Sequence, residues 1–137
     1  MRLPTDPKAR KALPIVTGVL DYFPDAIAEV AELSRIGNDQ HNPGQPLHWS
    51  KHKSTGHADC LGRHLLDRGT RDTDKVRHST KVAWRALALL QIEIEAERAG
   101  STVEDYLKNL AAVAAAAKPA REDRGSPADI VAYQAAK

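Results

Sequence analysis

The chain has one cysteine, Cys60, so no internal disulfide can form, and a reducing cytoplasm is the expected setting. Aromatic residues are only 4% of the 137 residues, which leaves Ala, Leu, Ile and Val to supply most of the packing. No apolar run approaches the roughly 20 residues of a membrane span. The opening stretch Met1 to Pro7 lacks the apolar segment of a secretory signal. Charge is close to balanced, formally +2, so bulk electrostatics do not call for direct nucleic-acid binding. Strand alternation is missing, as are a Walker-type glycine loop and a dinucleotide-binding fingerprint.

What is present is helical periodicity. The expected fold class is all-α: a bundle of four main helices finished by other copies of the chain. Residues 1–23, with Pro4, Pro7, Pro14 and Gly18, read as an irregular arm whose apolar piece Ile15 to Leu20 packs on the body. Residues 24–117 form the bundle, and residues 118–137 a flexible tail with a short terminal helix over 127–136. The first main helix starts at Pro24, suited to a first-turn position, and ends at Ile36 with Gly37 as its C′ residue. A polar, proline-containing loop over 38–53 leads to a second helix over 55–67. The third starts after an Asp72-Thr73-Asp74 cap and runs to Arg98, apolar most of the way round and therefore central. Ser101 and Glu104 read as a capping box opening the fourth.

Three constellations carry chemistry. The first is acidic. Glu29 and Glu32 lie one turn apart on a helix face, flanked by Leu33 and Ile36. Two like charges about 6 Å apart repel by about 3 kcal/mol at an effective dielectric near 20. Such a pair favours a cation. With Asp59 of the second helix it offers three hard oxygen ligands suited to Mg2+ or Mn2+. The second constellation is basic. Arg77, His78, Lys81 and Arg85 form a stripe on the third helix, joined by Arg63, Lys51 and Lys53. Cations facing a metal site suit a polyphosphate, whose charge is spread over several oxygens. The third is the loop, where Asn42 and Trp49 offer an amide and a ring to a nucleobase. His57, Cys60 and His64 are spaced for zinc but lack a fourth ligand, and His64 with His78 reads as a polar layer beside the site.

In order along the chain, Glu29-x-x-Glu32 and then Asp59 resemble the MazG-like all-α nucleoside triphosphate pyrophosphohydrolases, whose pattern is Glu-x-x-Glu followed by Glu-x-x-Asp. Gly56 stands where the second half of that pattern has its first carboxylate. The chain is most similar to the phage dATP/dGTP diphosphohydrolase (MazZ-like) group. That likeness rests on Ala28-Glu29-Val30 with Gly37, the loop from Asn42 to Trp49, Arg63-His64-Leu65, and His78 followed by Ala83-Trp84. It covers roughly residues 19–95. The resemblance implies hydrolysis of a purine deoxynucleoside triphosphate (dGTP or dATP) to monophosphate and pyrophosphate. It also implies two or more Mg2+ or Mn2+ ions, a homodimer or homotetramer, and a place in phage 2-aminoadenine DNA metabolism in the host cytoplasm. On this reading Glu29, Glu32 and Asp59 are catalytic and metal-binding. Asn42, Trp49, Lys51, Lys53, Arg63, His64, Arg77, His78 and Lys81 contact substrate. The competing reading is a non-enzymatic helical interaction or regulatory module that grips a partner through the first helix.

Overall fold

A computed structural model describes residues 3–53 and 55–117. Among them are five α-helices and no strand: α1 (Pro7–Lys11), α2 (Pro24–His41), α3 (His57–Leu66), α4 (His78–Arg98) and α5 (Val103–Ala116). The all-α expectation holds. The tail and the terminal helix expected over 127–136 lie outside the described residues. Among the described residues no helix is long and apolar enough to cross a membrane.

The arm is more regular than its prolines suggest. Asp6 caps α1, accepting from the Ala9 amide at 2.7 Å, and Val16–Leu20 coil into a π-helical turn. The apolar residues of that turn stay open: Ile15, Val16, Val19 and Leu20 keep 42 to 55% of their surface.

Helix α2 starts at Pro24 as expected, but it passes through Gly37 and ends at His41. The reason is Asn38, the buried residue of this helix. Its amide donates to the Gln45 carbonyl at 3.0 Å and its oxygen accepts from the His48 amide at 3.2 Å. The loop is thereby pinned to a further helical turn, which the Asn42 amide closes on the Asn38 carbonyl at 2.7 Å. That offsets the roughly 1 kcal/mol a helical glycine costs relative to alanine.

Helix α4 also starts later than its aspartates suggest. Its N-cap is Arg77, without a side-chain capping bond, and Asp72 and Asp74 instead grip Lys81. The C-terminal end meets expectation. Gly100 takes φ +63°, its amide reaches the Glu97 carbonyl, and the Ser101 amide reaches Ala96. Those two bonds form a Schellman stop, which needs a left-handed residue at the glycine position. The following cap is one residue later than the capping box implied: Thr102 accepts from the Asp105 amide and donates to its carboxylate.

Cross-helix pairs fix the directions. Ser34 accepts from the Trp84 indole, and Glu29 from Thr80, so α2 runs parallel to α4. His57 meets Arg85 and His64 meets His78, so α3 runs antiparallel to α4. Tyr106 donates to Glu95 from α5, which folds back on the end of α4. Helix α4 is central, as its all-round apolar pattern implied. The apolar core is nevertheless thin. Among the described residues the buried hydrophobic side chains are Ala88, Ile92 and Ala96, all on α4. Leu87 and Leu90 stay half exposed beside a groove of about 330 Å³ lined by Val30, Ser34, Trp49, Trp84 and Ile94. Ile92, at 1% exposure, carries much of the packing. Ile92→Ala is expected to cost about 2–5 kcal/mol, read as a lower urea midpoint. An unchanged midpoint would place the core elsewhere.

Candidate active site

Glu29 sits on the α2 face that meets α4. Its carboxylate accepts from Thr80 Oγ1 at 2.6 Å and from Arg77 Nε at 3.0 Å. Those two bonds, Thr80 foremost, hold it below the usual carboxylate range. Glu32, one turn on, points to solvent and pairs with Arg35, which lowers its pKa in turn. Arg35 also reaches Asp39. The mutual repulsion anticipated for the two glutamates is thus met by one guanidinium each. Asp59, in the first turn of α3, is exposed.

The start of α4 gathers a second set of charges. Lys81, 14% exposed, donates to Asp72 and to Asp74 at 2.7 Å each. Burial opposes the Lys81 charge, but the two carboxylates outweigh it and raise its pKa. Asp72 is held well below the usual range by Lys81 and then by the Thr73 amide. Asp74 is lowered chiefly by Lys81. Beside them, His64 Nδ1 lies 2.9 Å from His78 Nδ1. Burial, then Lys81 and His78, hold His64 below the ordinary histidine value. His64, Asp72 and His78 have ligand atoms within 4.8 Å of one another and are the metal-capable group among the described residues. Asp72 was read from sequence only as a cap. The signal for its role was two acids in a tight turn seven and nine residues before a lysine, with a histidine between them.

The remaining candidates separate. Lys51 pairs with Glu95, which also accepts from Gln91 and Tyr106. That places Lys51 about 21 Å along α4 from Lys81 at 1.5 Å rise per residue. Trp49 packs edge-on against Trp84 at 5.5 Å and His57 at 6.1 Å, with Lys51 over its ring. Its indole nitrogen and His57 Nε2 are buried without a hydrogen-bond partner. Asn42 caps the end of α2, and Lys53 is exposed at the end of a 3-10 turn over Lys51–Lys53. Arg63, exposed on α3, donates to Cys60 Sγ at 3.0 Å. His57, Cys60 and His64 do not gather into a ligand set: His57 packs among the tryptophans while His64 turns to His78.

A family described as dATP/dGTP diphosphohydrolase, N-terminal, matches residues 6–102. The chain belongs to this family. No curated protein and no solved structure matches it. The family region takes in α1 to α4 and both charge clusters, and it ends just before α5. It therefore contains Glu29, Glu32, Asp59 and the His64, Asp72, His78 group alike.

The Lys81 clamp has a pH signature. The folded-state pKa values of Asp72 and Asp74 lie below their unfolded values, so their contribution is complete above the unfolded value, about 3.9. It is lost as pH falls through the lower folded values. Lys81→Met is therefore expected to lower the urea midpoint at neutral pH, with the gap from the parent closing as pH falls below about 4. A gap independent of pH would mean that Lys81 acts by packing alone.

Proposed function

We propose that the chain hydrolyses dGTP and dATP to the monophosphate and pyrophosphate, using two or more Mg2+ or Mn2+ ions. The observation that carries this reading is the family match over residues 6–102. The donor chemistry of the acidic residues fits such ions. Glu29, Glu32 and Asp59 are hard oxygen donors, and the first two are kept ionised by their partners, although the ligand atoms of the three do not gather within 4.8 Å of one another. Each glutamate is paired with an arginine guanidinium, and both remain about half exposed and reachable from solvent. When bound, divalent ions would neutralise phosphate charge and acidify a water molecule.

The chain's own residues then have separate tasks. Thr80 orients the Glu29 carboxylate by donating to one of its oxygens. Arg77 and Arg63 would offer their guanidinium groups to the phosphates. Asp72 and Asp74 keep Lys81 charged and hold it in place at the start of α4. Asn42 and Trp49 select the purine. The half-exposed Leu87 and Leu90, with the groove beside them, support assembly as a homodimer or homotetramer in which a neighbouring copy covers the thin core.

Glu32→Gln keeps the size of the side chain and removes its charge. The Glu32–Arg35 pair is an exposed one-turn contact that adds little to stability, so the fold should survive. Mg2+- or Mn2+-dependent pyrophosphate release from dGTP and dATP is expected to fall by about 100-fold or more, with an unchanged circular dichroism spectrum. Full activity in this variant would overturn the metal assignment.

A further inference from the structure

We propose that His64, Asp72 and His78 form a separate seat for a first-row divalent transition metal, distinct in chemistry from the Glu29–Glu32 carboxylates. The inference does not rest on the triphosphate reading, since it stands on the hairpin between α3 and α4 alone. His64 is in the last turn of α3, His78 opens α4, and Asp72 lies in the connection between them. Their ligand atoms are within 4.8 Å of one another.

The connection holds these groups on a stiff frame. Lys75 adopts φ 67°, a left-handed conformation that side-chain-bearing residues rarely take. Arg71 Nη1 donates to the Lys75 carbonyl at 2.7 Å, and the Lys75 amide closes on Asp72. The Asp72 amide reaches Val76, the His78 amide reaches Thr70, and Arg71 bridges Arg77. Asp72 is therefore fixed at its backbone on one side of the two rings.

The distances suit a metal. A six-coordinate ion with bonds of about 2.1 Å sets adjacent ligand atoms about 3.0 Å apart, and a tetrahedral ion about 3.4 Å. The imidazole Nδ1 atoms are 2.9 Å apart, which matches adjacent positions on the former. Asp72 and Asp74 bring two negative charges to the site, against the positive charges of Lys81 and of Arg85, which also acts on His64. Lys81 is shared, so Asp74 can retain it when Asp72 gives an oxygen to the ion. Two imidazoles and one carboxylate select Mn2+, Fe2+, Co2+, Ni2+ or Zn2+ over Mg2+ and Ca2+. Three protein ligands also leave positions open to water or an anionic ligand.

Zn2+ is the probe, added to the full chain after stripping with a chelator, and followed by calorimetry and by imidazole 15N spectra. The parent and Glu32→Gln are both expected to bind it, with the Nδ1 signals of His64 and His78 shifting together. His64→Gln and His78→Gln should each weaken binding by more than about tenfold. Asp72→Asn, which leaves both rings in place, should weaken it in the same direction and keeps the test open if a histidine variant fails to fold. Binding is read without nucleotide, so its outcome is separate from that of any turnover assay. Zn2+ that leaves both Nδ1 signals unmoved, or binds the histidine variants as tightly as the parent, would overturn the proposal. The 2.9 Å contact would then be a simple hydrogen bond between two neutral rings.

Discussion

Thr80 and Arg77 both donate to the carboxylate of Glu29, and through that pair of bonds α2 is set against the first turn of α4. Much of the arrangement depends on this crossing. With Ser34 and Trp84 one turn and more further along, it fixes α2 parallel to α4 and brings the acidic face of one helix to the basic start of the other. The apolar core is too thin to impose that register: the buried hydrophobic side chains described are two alanines and Ile92. Polar pairs do the aligning instead, at Glu29 near one end of α4 and at Glu95 near the other.

The same economy explains why charge is so organised at the start of α4. Glu29 meets Arg77, Asp72 and Asp74 meet Lys81, and two imidazoles face one another between them. Each carboxylate is held in its ionised form by a cation beside it, which is the state needed to hold a metal or to position a phosphate-binding side chain. The dATP/dGTP diphosphohydrolase family match over residues 6–102 takes in the whole of this cluster.

Helix content was legible wherever periodicity was long. The central role of α4, the start of α2 at Pro24 and the stop at Gly100 all followed from apolar spacing and terminal residues. Misreadings came where one polar side chain had two possible local roles. Gly37 looked like a helix stop because nothing in a sequence shows Asn38 reaching forward to Gln45 and His48. Asp72 and Asp74 looked like a cap because their true partner, Lys81, lies a turn inside the helix. Among the candidate site residues, the link between Glu29 and Arg77 spans 48 positions and was visible only as complementary charge. Lys51 shows the limit of such reasoning, since a cation assigned to the basic group by charge alone pairs with Glu95 at the far end of α4.

The central claim is that this helical frame handles a purine deoxynucleotide. The most direct measurement is pyrophosphate release by the parent chain from a panel of the four deoxynucleoside triphosphates, with and without Mn2+. The account predicts metal-dependent release from dGTP and dATP, with the pyrimidine nucleotides left largely intact. No turnover of any nucleotide, and no thermal shift on adding one, would contradict it and favour a helical interaction module.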